Sequence, residues 1–184
     1  MKRLFDISVA LVALLLLSPV ILLVALLIYL TDKGPVFFKQ KRVGLNGKTF
    51  DIYKFRSMVT NASSLGGHQT LENDNRITKI GRVIRKTSVD ELPQLLNVLV
   101  GDMSVVGPRP NVPLQREEYS EQEWNKRNSI QPGITGLAQA KGRSCLTPEQ
   151  RTKYDLEYVD NVNLINDIKI ILLTVKQIVT KGGN

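Results

Sequence analysis

The sequence predicts a mostly helical α+β protein whose N-terminus is an apolar membrane helix bent at Ser18-Pro19. Three observations predict it. Residues 7–30, ISVALVALLLLSPVILLVALLIYL, carry no charge, and about 20 apolar residues suffice to cross a bilayer as a helix. Apolar residues recur at helical spacing in 76–87, 92–99 and 164–180. The stretch 35–58 is punctuated by glycine and Asn-Gly and reads as a hairpin or irregular strands.

The apolar run divides the chain into residues 1–31, a membrane element, and 32–184, long enough for one compact domain. A cleavable signal peptide fits poorly, because the run is too long and no small-residue cleavage site follows. Pro19 removes a backbone donor and bends the helix. Basic residues flank both ends: Lys2 and Arg3 before, Lys33, Lys39, Lys41 and Arg42 after. Lys and Arg favour the cytoplasmic side. A helix that enters, bends and returns to the same face satisfies both flanks. A kinked single span is equally allowed, since proline is tolerated in membrane helices. The residues alone leave both open.

Gly44 and Asn46-Gly47 mark the turn of the predicted hairpin. Lys54 and Arg56 flank Phe55, and strand alternation would place both charges on one face. Residues 60–75 read as a mobile polar loop. In 76–87, Ile77, Ile80, Val83 and Ile84 define a helix. Ser88 stands three residues before Glu91, a capping-box pattern. Pro93 suits a first helical turn, Leu92, Leu95, Leu96 and Leu99 form a stripe, and Gly101 stops it. Residues 114–128 read as a Glu-rich polar helix and 131–136 as a loop. In 164–180, Ile165, Ile168, Leu172, Val175 and Val179 align beside Lys169, Lys176 and Lys181. Such a helix can lie among lipid headgroups or close a core.

The net charge is +8, and residues 33–86 alone hold 12 Lys or Arg against 3 Asp or Glu. One segment therefore carries the whole excess and attracts polyanions such as phosphorylated ligands or anionic lipid. The lone Cys145 excludes an internal disulfide and fits a reducing compartment. The lone His68 argues against a histidine-rich metal site or a Ser-His-Asp triad.

The most informative segment is RKTSVDELPQLLNVLVGDMSVVGPRP, residues 85–110. Asp90 and Glu91 open a helix between a basic stretch and the rigid Gly107-Pro108-Arg109-Pro110 turn. Carboxylates that attack or hold a metal, beside cations that hold phosphates, suit chemistry on a phosphate ester. Each piece also has a plainer reading: helix capping for the acids, a solvated face or lipid anchor for the cations, a connector for the turn.

Six segments in fixed order carry a resemblance: KRLFDISVALVALLLLSPVILLVALLI, GPVFFKQKRVG, FDIYKFRSM, RVIRKTSVDELPQLLNVLVGDMSVVGPRP, QPGITGLAQAKGR and YDLEYVDN. Together they resemble the bacterial sugar transferase family, specifically its small monotopic phosphoglycosyl transferases. The resemblance implies transfer of a phosphosugar from a UDP-sugar to polyprenol phosphate, releasing UMP, with Mg²⁺ as cofactor. It implies a re-entrant helix hairpin bent at Ser18-Pro19, packed on a small cytoplasmic domain with interfacial amphipathic helices, on the cytoplasmic face of the bacterial plasma membrane. Products of this kind feed surface glycans such as exopolysaccharide and capsule. A lipid bilayer is then a partner, nucleic acid is not, and a homodimer is left open.

The same resemblance implies that Asp90 is the nucleophile and a metal ligand, forming a covalent phosphosugar intermediate, with Glu91 assisting. It places Lys54, Arg56, Arg85, Pro108, Arg109, Pro110, Arg143 and Asp155 among substrate-binding positions. Leu137 and Lys141 stand where relatives often carry Trp and Asn. The competing expectation is a membrane-anchored, non-enzymatic binder of anionic lipid or nucleic acid, which would not require the acidic pair.

Overall fold

The computed structural model of the chain describes residues 1–66, 74–142 and 145–181. It is mostly helical α+β, with one long apolar helix and two small sheets. His68 and Arg143 lie outside the described residues.

The apolar run forms one helix, α1 (Lys2–Asp32), with Pro19 inside it. At about 1.5 Å per residue it is long enough to cross a bilayer. Proline at position 19 removes the amide that would bond the carbonyl of Leu15. The Ser18 hydroxyl donates to that same carbonyl at 2.9 Å. The Ser-Pro pair thus supplies a substitute for the hydrogen bond it removes.

Both ends of α1 are tied to the rest of the protein, and its middle is bare. Near the start, Arg3 donates to the carbonyls of Val98 and Leu99. The buried Asp6 accepts from Ser104 Oγ at 3.0 Å and from the Val105 amide at 3.1 Å. Lys2 pairs with the buried Asp167 at 2.7 Å. Near the other end, Val24 and Ile28 pack with Phe55 and Ile84. Between them Leu15, Leu16, Leu22 and Leu23 are exposed.

The predicted hairpin is present as β1 (Phe37–Val43) and β2 (Thr49–Phe55), paired antiparallel with Phe38 opposite Lys54. Its turn holds Asn46 at φ 54° and Gly47 at φ 77°, the left-handed geometry for which these residues are suited. The segment read as a loop contains a short helix, α2 (Ala62–Leu65); residues 67–73 of it are outside the described part. Next comes α3 (Lys79–Lys86), capped by the Thr78 side chain on the Gly81 amide. Ile84 is buried, whereas Val83 faces out.

After a 3-10 turn at Val89–Glu91 the chain forms α4 (Gln94–Val100), which Gly101 ends at φ 99°. The stop agrees with expectation, but the α-helix begins only at Gln94, with Pro93 as its cap and the acidic pair in the separate turn before it. The capping box does not form: Ser88 makes no side-chain cap, and the Glu91 carboxylate is taken by cations from other elements. Leu95 and Val98 are buried, while Leu96 is exposed. Asn97, fully buried, accepts from the Tyr53 amide at 3.0 Å and donates to the Asp51 carbonyl at 2.8 Å. Its side-chain amide acts as a strand neighbour for β2 and fixes α4 beside Lys54.

The next strand is β3 (Ser104–Val106). Residues 114–128 are not one helix. A 3-10 segment at Pro113–Glu118 ends at the extended Tyr119, and α5 (Glu121–Arg127) starts afresh. The break is a true capping box, Ser120 with Glu123. Residues 131–136 also depart from expectation, since they contain β4 (Gly133–Thr135), parallel to β3. A side chain at Gly107 or Gly133 would collide with the facing backbone, which explains glycine at both.

The chain ends with α6 (Leu137–Lys141), α7 (Pro148–Asp160) and α8 (Leu164–Lys181). In α8 the apolar stripe is not the core face. Ile165, Ile168, Leu172 and Val175 are exposed, whereas Asp167 and Ile170 are buried. The Tyr158 hydroxyl lies 2.7 Å from Asp167 Oδ1 and joins α7 to α8. The main core gathers Leu95, Val98, Met103, Val106, Tyr158 and Ile170.

Candidate active site

Asp90 and Glu91 share the 3-10 turn, yet their side chains have different fates. The turn is set by Ser88, whose backbone is left-handed at φ 58°. Glu91 Oε1 accepts from Lys54 Nζ at 2.8 Å and from Arg109 Nη2 at 2.7 Å. Arg109 Nη1 adds a longer bond of 3.4 Å to Oε2. Burial opposes the ionisation of Glu91, but Arg109 and Lys54 outweigh it and hold the carboxyl far below its ordinary range. Burial pulls the Lys54 ammonium below its usual value, and Glu91 resists that pull.

Asp90 is 9% exposed and accepts no hydrogen bond from the described residues. Burial pushes its pKa up to about 6, and the neighbouring Glu91 adds to this. Lys54, Arg85 and Arg109 pull the other way. The site therefore holds one carboxylate saturated by cations and one left unpartnered within the field of three.

A raised carboxyl pKa means that ionising Asp90 costs stability. The cost is absent below about pH 4, where folded and unfolded states are both protonated. It grows between about pH 4 and 6, where the unfolded chain has ionised and the folded protein has not, and is complete above 6. Asp90→Asn is accordingly expected to stabilise the protein by about 1–3 kcal/mol at pH 7.5 in EDTA, with the gain vanishing near pH 4. Denaturant titrations at the two pH values check this.

The Pro108-Arg109-Pro110 turn is built to aim Arg109. Its prolines have no amide to donate, so the turn is held through its carbonyls. The Gly133 amide donates to Pro108 O at 3.0 Å. Arg127 Nη2 donates to Arg109 O, and Arg42 Nη1 donates to Pro110 O at 3.0 Å. Burial, then the charge of Arg109, lowers Arg42 to about 10.

Among the predicted site residues, Lys54, Glu91 and Arg109 are in direct contact, and Asp90 and Arg85 adjoin them. Arg56 goes elsewhere. The strand ends at Phe55, so alternation no longer governs position 56. The buried Arg56 guanidinium lies against Gly34, where a Cβ would strike it. Asp155 is also apart. It is 1% exposed and pairs with Arg127 at 2.8 Å, so it reaches the site only through that residue and the Arg109 carbonyl. Ser18 and Pro19 lie in the bare middle of α1. Arg127 was not singled out from sequence and Arg42 was read only as a basic flank of the apolar run; the Ser120–Glu123 box could have placed Arg127 at the end of a helix.

Among the described residues, the carboxylate of this site that could take a metal is Asp90. No group of three or more His, Cys, Asp or Glu side chains gathers among the described residues. Glu91 is already saturated. What is left is Asp90, and Mg²⁺ commonly takes one or two carboxylates together with substrate phosphates.

The chain belongs to the bacterial sugar transferase family, whose model matches residues 1–181. It is 45% identical to "Uncharacterized sugar transferase EpsL" of Bacillus subtilis (strain 168), covering 100% of this chain and 89% of that protein. It is 48% identical to "Exopolysaccharide production protein PSS" of Rhizobium leguminosarum bv. phaseoli, covering 99% and 96%. It is 43% identical to the "UDP-glucose:undecaprenyl-phosphate glucose-1-phosphate transferase" of Escherichia coli (strain K12) over 95% of this chain and 39% of that longer enzyme.

Proposed function

We propose that this protein transfers a hexose 1-phosphate from a UDP-sugar to undecaprenyl phosphate, through a phosphosugar held covalently on Asp90. The observation that carries this reading is the contrast within the acidic pair. Asp90 accepts no hydrogen bond from the described residues and lies in the field of Lys54, Arg85 and Arg109, while Glu91 is fixed between Lys54 and Arg109. The name of the Escherichia coli relative supplies the substrate class, and that of the Rhizobium relative the exopolysaccharide setting.

In the first step an Asp90 Oδ forms a bond to the β-phosphorus as that phosphorus parts from the bridging oxygen. UMP departs with the oxygen, and no proton moves. In the second step an oxygen of the lipid phosphate attacks the same phosphorus. The bond to Asp90 breaks and the carboxylate is restored. Neither step demands a general base. That suits a Glu91 whose role is to hold Lys54 and Arg109 toward the diphosphate. Mg²⁺ held by Asp90 and the donor would supply neutralisation of phosphate charge.

The membrane part of the proposal is a re-entrant hairpin comprising residues 1–31, with residues 32–184 on the cytoplasmic face. Support comes from α1 being tied to one domain near both ends, bare in the middle, and holding a proline there, where Ser18 replaces the lost bond of Pro19. Basic residues on both flanks favour the same side. The exposed apolar stripe of α8 suits the headgroup layer. The reading is tested with purified protein in detergent, Mg²⁺, undecaprenyl phosphate and a panel of UDP-sugars starting with UDP-glucose. UMP release that requires one UDP-sugar is expected; no release from any member of the panel contradicts the reading.

A further inference from the structure

Arg127 and Asp155 form the most deeply buried ion pair near the site, each side chain 1% exposed. Arg127 Nε donates to Asp155 Oδ2 at 2.9 Å. Its Nη2 faces both that oxygen at 2.8 Å and the Arg109 carbonyl. Asp155 Oδ1 has no hydrogen-bond partner among the described residues. Burying such a pair is costly, and apolar residues of similar size commonly stabilise a core as well or better. As a device for stability alone it is a poor choice. What it supplies is a donor, rigidly oriented by its counter-ion, to one particular carbonyl.

That carbonyl belongs to the residue whose side chain grips Glu91. The Ser120–Glu123 box begins α5 and sets its register, so that Arg127 falls at the last residue of the helix. Asp155 comes from α7, capped by the Thr147–Gln150 box. The ring of Tyr119 lies 5.6 Å from the guanidinium and limits its movement. A line of contacts thus runs from α7 through α5 to the backbone of Arg109, and along its side chain to the acidic pair.

We propose that Arg127, braced by Asp155, is a positioning residue: it sets the reach of Arg109 toward the donor's phosphates without touching substrate itself. This rests on the phosphosugar-transfer reading above. It accounts for Asp155 by a role behind the turn in place of a substrate contact.

Arg127→Lys separates positioning from scaffolding. The shorter lysine keeps its charge beside Asp155 but cannot also span to the Arg109 carbonyl. The variant is expected to melt within a few degrees of the parent, with kcat for UMP release lowered about 30-fold and KM for the UDP-sugar changed less than about threefold. Introduced into Arg109→Lys, where the aim of Arg109 is already lost, the same change is expected to cost less than about threefold more.

An equal fall in both backgrounds overturns the proposal, as does parental kcat in a folded Arg127→Lys. Should Arg127→Lys not fold, the neutral pair Arg127→Gln with Asp155→Asn takes its place under the same criteria. If that too fails to fold, the pair is scaffold and the proposal is wrong. Absence of UMP release by the unaltered protein defeats the functional reading and this inference together. Active parent protein with additive variants defeats this inference alone.

Discussion

Asp90→Asn is expected to abolish transfer, lowering turnover by about 10⁴-fold or more, while leaving the protein folded and at neutral pH more stable. The magnitude follows from the role proposed for Asp90. A nucleophile that forms the covalent intermediate cannot be replaced by an amide, and loss of such a group elsewhere costs about 10⁴–10⁶ in kcat. The intact fold follows from the structure: Asp90 accepts no hydrogen bond from the described residues, so asparagine breaks none. Its neighbourhood resists the charged form, and the neutral amide removes that cost. Activity and stability thus move in opposite directions. UMP release and thermal melting on the same preparation check both. A variant that merely unfolds, or one that keeps its rate, contradicts the account.

Glu91→Gln is expected to lower turnover about 100-fold and to destabilise the protein by about 2–4 kcal/mol. The carboxylate is the shared counter-ion of Lys54 and Arg109, at 2.8 and 2.7 Å. With Gln, two cations face a neutral side chain whose amide end repels one of them. Arg109 is 36% exposed, so solvent screens part of the loss, which keeps the figure below that of a fully buried pair. The pH sign follows from the lowered pKa. The stability from ionised Glu91 is complete above its unfolded value near 4.5 and is lost only as pH falls toward the much lower folded value. Wild type and variant should therefore converge in stability only under strongly acid conditions. Because Glu91 is given no covalent role, the variant should still form the phosphosugar adduct, more slowly. Denaturant midpoints and single-turnover kinetics measure the two effects.

Those parts of the fold governed by near neighbours were legible. Asn46-Gly47 carries its own turn geometry, the helical spacing of 76–87 and 164–180 gave α3 and α8, and Gly101 ended α4 as expected. The failures share a cause, which is a distant partner outweighing a local pattern. Ser88 and Glu91 have the spacing of a capping box, but Lys54 from β2 and Arg109 from the proline turn bind Glu91 more strongly than one amide could. Residues 133–135 have too little length to announce a strand, and they become one only because β3 lies alongside. The apolar stripe of α8 was visible, but not which way it faced, since that depends on where Asp167 and Ile170 find partners.

In the candidate site, the residue types of the 85–110 segment drew attention to Asp90, Glu91 and the turn holding Arg109, and the family resemblance supplied their expected roles. Arg127 was invisible, because a single arginine at the end of a polar helix looks like any solvated charge until the fold brings the Arg109 carbonyl against it. Asp155 was noticed for its motif and read among the substrate-binding positions, whereas the fold buries its carboxylate against Arg127.

The central claim is the bond between Asp90 and phosphorus, and it is tested most directly by intact-mass and peptide mass spectrometry. The full-length protein is mixed with Mg²⁺ and its UDP-sugar in the absence of lipid acceptor and quenched in acid within seconds. The account predicts a mass gain of one hexose phosphate on the peptide containing Asp90, matched by an equal amount of UMP and discharged on adding undecaprenyl phosphate. UMP release that occurs only when both substrates are present, with no gain of mass on the protein at any time, would contradict it.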